Sequence, residues 1–421
     1  MDKFVIQGGN KLTGEVNVSG AKNSTLALMP ASILASGITT LENTPQLNDV
    51  YTMKKLLQHL GLEIEFDDST LKINSEKIEQ FDAPYEHVKK MRASVYVLGP
   101  LLAKFGEARV SLPGGCAWGP RPINLHLEAM KKLGAEIDLQ EGYIIAKAKK
   151  LKGAHINFDI SSVGATGNTL MAAVLAKGQT IINNAAIEPE ITQLAEFLVS
   201  MGAKINGIGT NKLEIQGVEE LKAVSARTIS DRIEAGTLLI AGSITNGNIV
   251  LKNCDSGHLE SVINKLEDAG CKIEISENQI SLNAENADIK ATDVSTAIFP
   301  GFPTDMQAQW TTLMCLANGT STITDNIYFD RFKHIPELMR LGADITASRN
   351  SVVVKGVKKL IGAKVMSTDL RASASLVLGG LAAEGNTEVL RVYHLDRGYQ
   401  RIEEKLSALG ADIQRVAGQE Y

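Results

Sequence analysis

"IPELMRLGADITA" (335–347) runs from an amphipathic helical pattern into an alternating strand through one residue, Gly342. A glycine at that junction lets a helix end in the left-handed conformation and turn into a strand. The segment recurs six times, as "LGLEIEF" (60–66), "LGAEIDL" (133–139), "MGAKING" (201–207), "AGCKIEI" (269–275), "LGADITA" (341–347) and "LGADIQR" (409–415). Its glycines, Gly61, Gly134, Gly202, Gly270, Gly342 and Gly410, are spaced by 73, 68, 68, 72 and 68 residues. So regular a period marks an internal repeat. A second strand follows most copies, as in "LKIN", "YIIAKA" and "SVVVKG".

Upstream in each unit lies a helix of a different kind: "AKNSTLALMPASILASG", "KMRASVYVLGPLLAKFG", "GATGNTLMAAVLAKG", "DRIEAGTLLIAGSITNG", "TDMQAQWTTLMCLANG" and "DLRASASLVLGGLAAEG". These helices are apolar on nearly every side, which is the signature of burial. Each unit therefore reads strand, buried helix, strand, outer helix and two strands, an α/β pattern. Solenoid repeats are usually about 20–50 residues long, so longer units favour closed domains over a filament. Six units divide naturally into two domains of three.

The chain has 421 residues, 44% hydrophobic and 22% charged, the balance of an ordinary globular protein. No apolar run reaches the roughly 18–20 residues of a membrane span. The start, "MDKFVIQGG", lacks a basic segment followed by an apolar core, so no signal peptide is expected and the reading is cytoplasmic. Cys116, Cys254, Cys271 and Cys315 are far apart with no CxxC pair, which favours free thiols in a reducing compartment over a zinc site. A net charge of -5 argues against a nucleic-acid surface. An anionic ligand then requires locally grouped Arg and Lys.

Polar, charged or small residues gather where the buried helices begin: Lys22 and Asn23, Arg92, Ser162 to Thr166, Asp231 and Arg232, Thr304 and Asp305, and Asp369 to Arg371. Helix N-termini carry partial positive charge and unpaired N–H groups that suit anions. Plainer readings stand beside this one. "TDMQ" (304–307) has the pattern of a capping box, with Asp305 a favourable first-turn acid. Arg371 has Asp369 close by as a partner, and Arg397 has Asp396. Lys22 and Arg92 oppose the helix dipole, which favours a functional role. The seven histidines show no metal spacing.

"SLPGGCAWGPRP" (111–122) places Cys116 beside Gly114 and Gly115 and close to Arg121. Alone, a thiol is usually inert packing. Flanking glycines and a nearby cation instead suit a reactive thiol, as nucleophile or general acid.

"SGAKNSTLALMPA", "LPGGCAWGPRPINLHLEAMKKLGA", "SVGATGNTLMAA", "DRIEAGT", "FPTDMQAQW", "DRFKHIPELMRLGAD" and "TDLRASASLVL" resemble the motifs of the UDP-N-acetylglucosamine 1-carboxyvinyltransferases, enolpyruvyl transferases of the EPSP synthase family. The resemblance covers about residues 1–415 in motif order. It implies two inside-out α/β barrel domains, each of three βαβαββ-type repeats. The chain would cross twice between them, giving one domain of 21–229 with the 111–122 loop and another of 1–20 plus 230–421. The active site would lie in the cleft between the domains.

The implied reaction moves the enolpyruvyl group of phosphoenolpyruvate to the 3′-hydroxyl of UDP-N-acetylglucosamine and releases phosphate, in peptidoglycan synthesis. The matching positions make Cys116 the general acid, and also the site of a covalent adduct, with Asp305 the base and Lys22 and Arg397 counted with them as catalytic. Lys22, Asn23, Arg121 and Arg397 would hold phosphoenolpyruvate, with Arg92 and Arg371 nearby. Asn23, Arg92, Arg121, Pro122, Ile123, Asn124, Leu125, Ser162, Val163, Gly164, Asp305 and Ile327 would meet the sugar nucleotide. No metal or cofactor is implied, no nucleic-acid or membrane partner is expected, and the chain is expected to be a monomer. Trp118, Pro120 and Ile160 depart from the family pattern. A shikimate-pathway enolpyruvyl transferase is opposed by the Cys loop and the "RPINL" run. A non-catalytic sugar-nucleotide sensor is opposed by the presence of every acid, base and anion-holding position.

Overall fold

A computed structural model describes residues 2–89, 91–112 and 123–417. All six junction glycines adopt positive φ, from +94° at Gly134 to +109° at Gly202. The repeat read from the sequence is therefore a repeated backbone conformation.

The chain forms two compact units, Gly20–Ile229 and the pair Met1–Ser19 with Ser230–Tyr421. Each has its own core and three four-stranded sheets. In the Gly20–Ile229 unit the central helices are α1 (Lys22–Ala31), α2 (Leu98–Phe105), entered through a 3₁₀ turn at Arg92–Val97, and α3 (Val163–Ala173). In the other unit they are α4 (Arg232–Ile244), α5 (Gln307–Met314), entered through a 3₁₀ turn at Thr304–Met306, and α6 (Leu370–Ala382). Every residue from Ile233 to Ile244 in α4 and from Arg371 to Leu381 in α6 is buried, as the unbroken apolar composition predicts. The helices α4, α5 and α6 pack on one another, and the sheets lie outside them. Small hydroxyl residues fit between helices because each returns its proton to its own helix, as Thr237 does to Ile233 O at 2.7 Å and Thr311 to Gln307 O at 2.9 Å.

Each four-stranded sheet combines one parallel pair with two antiparallel pairs, and a two-stranded parallel sheet joins Ala35–Ser36 to Leu221–Lys222. In the third repeat His155–Asn157 runs parallel to Gln179–Asn183, which pairs antiparallel with Lys212–Gln216, and that strand with Lys204–Asn206. Two sheets of the discontinuous unit are completed by the start of the chain. Asp2–Gln7 lies antiparallel between Asn386–Leu390 and Asp412–Ala417, supplying the hairpin strand the sixth repeat lacks. Thr13–Asn17 runs parallel to Asn248–Lys252 as the first strand of the fourth repeat. In the other unit Ser225–Arg227 returns to Ile38–Glu42 and completes the first repeat. The periodicity of the sequence carries no sign of these exchanges.

A further repeated device follows the second strand of three repeats. Asn43, Asn184 and Asn253 all have positive φ, which asparagine tolerates better than most residues. Their side-chain amides donate to Thr228 O (2.8 Å), Phe158 O (2.8 Å) and Val18 O (3.0 Å), tying off the neighbouring parallel strand.

Candidate active site

In the discontinuous unit a charged cluster forms around Asp305. Asp305 lies in the 3₁₀ turn before α5. One carboxylate oxygen is 2.7 Å from Arg331 Nη2 and the other 2.7 Å from Arg371 Nη2, at the start of α6. Burial by itself pushes the Asp305 pKa up. Arg371 and Arg331 outweigh it and hold the carboxyl well below the usual carboxylate range. Arg331 lies in the family-like stretch "DRFKHIPELMRLGAD", but no role was assigned to it from the sequence, because nothing local joins it to Asp305 26 residues away.

The capping box expected of "TDMQ" does not form: the turn starts after Pro303 with no side-chain cap. Thr304 Oγ1 instead donates to Asp325 Oδ2 at 2.6 Å and accepts from Arg331 Nη1 at 3.0 Å. A buried carboxylate outcompetes a backbone amide for that hydroxyl, because charge-assisted bonds are the stronger ones. Asp325 also accepts from the backbone N–H of Ile327 and of Tyr328, both at 2.9 Å. The expected sugar-nucleotide residue Ile327 is thus tied through Asp325 and Thr304 to the segment that bears Asp305.

The nearby-partner reading of Arg371 is also corrected. Asp369 caps α6 through Arg371 N (3.0 Å) and Ala372 N (3.1 Å), leaving the Arg371 guanidinium for Asp305 and for Tyr399 Oη (3.1 Å). Asp396 pairs with Arg415 at 2.6 Å. Arg397 ends the 3₁₀ turn Val392–Arg397 and is half-buried. Asp231 caps α4 through Ile233 N and Glu234 N, and the Arg232 guanidinium lies over the Phe299 ring.

In the Gly20–Ile229 unit Lys22 opens α1, and its ammonium is 2.9 Å from Asp49 Oδ2. Asp49, also not anticipated, sits in the first turn of the outer helix Asn48–His59, where the dipole favours a negative charge. The Lys22 side chain is 13% exposed and Asn23 is exposed. Arg92 begins the turn into α2 and is half-buried. Ser162 caps α3, accepting from Ala165 N at 3.3 Å, and Val163 and Gly164 form its first turn. Ile123 and Leu125 pack partly into the core beside the exposed Asn124. Ile160 is 70% exposed just before α3.

His126 was likewise not anticipated. Asn168 donates through Nδ2 to Val95 O (2.9 Å) and accepts through Oδ1 from Gly99 N (2.7 Å), which fixes its amide. Its Nδ2 therefore donates to His126 Nδ1 at 3.1 Å, and the ring proton belongs on Nε2. A side chain at position 164 would meet that Nε2 at 3.1 Å, so Gly164 lets the ring lie against the first turn of α3. Burial, then the Arg92 charge, pushes the His126 pKa down to about 4, so the ring is neutral near pH 7.

Cys116, Arg121 and Pro122, with Trp118 and Pro120, lie outside the described residues. The other three cysteines are buried. Burial pushes the thiols of Cys254 and Cys315 up to about 12 and that of Cys271 upward, which suppresses their thiolates near pH 7. Among the described residues no group of three or more His, Cys, Asp or Glu is placed to hold a metal ion, and no helix is long and apolar enough to cross a membrane.

The fold and these clusters define a class: an α/β protein of two three-repeat units that gathers charged side chains where its buried helices begin. The model of the EPSP synthase (3-phosphoshikimate 1-carboxyvinyltransferase) family matches residues 6–406, and the chain belongs to that family. It is 59% identical over 424 aligned residues to the UDP-N-acetylglucosamine 1-carboxyvinyltransferase of Chloroherpeton thalassium, covering 100% of this chain and 99% of the relative. It is 57% identical to the protein of that name from Chlorobium chlorochromatii, covering 100% of both. Among solved structures, the enolpyruvyl transferase NikO from Streptomyces tendae superposes with a TM-score of 0.89 at 25% identity, over 99% of each chain. EPSP synthase from Acinetobacter baumannii, at 18% identity and a TM-score of 0.75 over 99% of this chain and 100% of that one, shares the fold.

Proposed function

We propose that this chain transfers the enolpyruvyl group of phosphoenolpyruvate to the 3′-hydroxyl of UDP-N-acetylglucosamine, releasing phosphate, as a step in peptidoglycan synthesis. The observation that carries the reading is the 59% identity, over 100% of this chain, to a relative bearing that activity in its name. The chemistry is addition followed by elimination. The hydroxyl oxygen bonds to C2 of phosphoenolpyruvate, its proton passes to a base, and C3 gains a proton from an acid. C3 then loses a proton as the C2–O bond to phosphate breaks, restoring the vinyl group on the sugar.

In this reading Cys116 is the acid, and the thiol that can hold phosphoenolpyruvate covalently, and Asp305 is the base. Lys22, Asn23, Arg121 and Arg397 hold phosphoenolpyruvate with Arg92, and the lysine and arginine charges supply what a metal supplies elsewhere. Arg371 acts on Asp305. Asn23, Arg92, Arg121, Pro122, Ile123, Asn124, Leu125, Ser162, Val163, Gly164 and Ile327 receive the sugar nucleotide. The first turn of α3 offers backbone N–H groups to its diphosphate. The enzyme is read as cytoplasmic and monomeric, with no resident cofactor.

The pair of clamping guanidiniums gives Asp305 its particular character. They keep it ionised at any working pH and fix both oxygens, at the cost of intrinsic basicity. A phosphate-release assay tests the reading. Phosphate appears only with both phosphoenolpyruvate and UDP-N-acetylglucosamine present, and shikimate 3-phosphate does not replace the sugar nucleotide. Cys116→Ser abolishes or strongly lowers turnover and blocks alkylation by an epoxide analogue of phosphoenolpyruvate, whereas Cys254→Ser does neither. Full activity in Cys116→Ser removes the acid assignment, and sugar-nucleotide binding without phosphate release supports the sensor instead.

A further inference from the structure

Resting on the reading above, we propose that Tyr399 is a positioning residue for the reaction, its hydroxyl orienting the Arg371 guanidinium that holds the Asp305 carboxylate. Tyr399 is 1% exposed and lies just beyond the Val392–Arg397 turn. Its hydroxyl meets Arg371 Nη1 at 3.1 Å, Thr237 Oγ1 at 2.9 Å and Gln309 Nε2 at 3.2 Å. Thr237 stands in α4, Gln309 in α5 and Arg371 in α6, so one phenol joins all three central helices of the unit.

The directions of the protons follow from the partners. Thr237 has one hydroxyl proton and gives it to Ile233 O at 2.7 Å, so toward Tyr399 it accepts. The Tyr399 O–H therefore donates to Thr237 and accepts from Arg371 and Gln309. Protons run from Arg371 to Tyr399 to Thr237 to a helix carbonyl, and Gln309 Nε2, which also lies 3.1 Å from Thr237 Oγ1, divides its two protons among the acceptors around it. Gln309 Nε2 also lies 3.0 Å from Asp305 O, which brings the base's own backbone into the network.

The geometry of arginine makes the hydroxyl matter at Asp305. A guanidinium is a rigid planar fork, so fixing Nη1 on Tyr399 and Nη2 on Asp305 Oδ2 at 2.7 Å fixes the plane of the whole group. Without the phenolic oxygen the fork is free to turn about its contact with Asp305 Oδ2, which loosens that oxygen while Arg331 still holds the other. Packing does not require this oxygen, since phenylalanine fills the same ring volume and keeps the ring that faces Arg371, 5.5 Å from ring centre to guanidinium carbon.

The test is steady-state kinetics on the full-length chain with both substrates. Tyr399→Phe is expected to lower kcat by about tenfold or more, with both KM values within about twofold, because misplacing a reacting group costs rate rather than ground-state binding. In an Arg371→Lys background Tyr399→Phe adds no further loss, since the hydroxyl acts through that guanidinium. Thr237→Ser keeps the acceptor and retains a higher kcat than Thr237→Val, which fills the same space without it. An unchanged kcat in folded Tyr399→Phe overturns the proposal, as does a loss additive with Arg371→Lys. If Tyr399→Phe does not fold, equal kcat values for the two Thr237 variants overturn it. A wild-type chain that releases no phosphate overturns the functional reading, and this inference with it.

Discussion

In the proposed reaction the Asp305 carboxylate meets two opposing demands: a base should be basic, and Arg331 and Arg371 make it less so. With both guanidiniums 2.7 Å away the group stays ionised well below the usual carboxylate range. The sign for a depressed acid is definite: protonation, and the loss of what the ionised form does, begins only as pH falls through the lowered folded value. The acid limb of kcat/KM that belongs to Asp305 therefore lies below the range of an ordinary assay. Arg331→Ala removes one of the two opposing charges while burial continues to push the pKa up. The limb should then move upward by about one pH unit or more. A pH–rate profile of the two proteins measures it, and coincident acid limbs count against Asp305 as the titrating base. Asp305 was legible in the sequence as part of "FPTDMQAQW". Its partner Arg331 was not, because a salt bridge across 26 residues leaves no local pattern.

At the scale of elements, the repeat glycines fall into two kinds that the sequence does not separate. Gly342 has φ +95° and nothing within 4 Å of an added Cβ, so only backbone conformation demands glycine there. Gly342→Ala should cost about 1–2 kcal/mol. Gly356, after the strand Ser351–Lys355, has ordinary φ, but an added Cβ would lie 1.7 Å from Ala317 O, just past the end of α5. Gly356→Ala should cost about 3 kcal/mol or more, because backbone itself must move. Denaturant unfolding of both variants checks the order, and a larger loss at Gly342 would contradict it. The first kind was readable as a helix stop. The second was not, because close approach of two backbones is a tertiary fact. The same limit explains the failed capping box: "TDMQ" has the right residues, yet Asp325 lies close enough to take the Thr304 hydroxyl.

At the scale of the molecule, the first nineteen residues belong to the unit that also holds the end of the chain. Asp2–Gln7 is an interior strand with Phe4 and Ile6 fully buried. Removing residues 2–7 opens a gap between Asn386–Leu390 and Asp412–Ala417 and strips the core beneath them. Hydrogen exchange on that deletion should show lost protection throughout the discontinuous unit and retained protection in the core of Gly20–Ile229. Native-like protection of both units would show that the strand is dispensable.

The sequence by itself determined the repeat, its helix–glycine–strand junction, the burial of six helices and the gathering of charged residues where those helices begin. Those are local matters, set by hydrophobic period and by the few residues that tolerate a left-handed turn. The tertiary structure alone decided which strands close each sheet, which arginines hold Asp305, and which phenol orients one of them. Such pairings join residues far apart along the chain, and the energy that selects them arises only once burial has removed water as the competing partner.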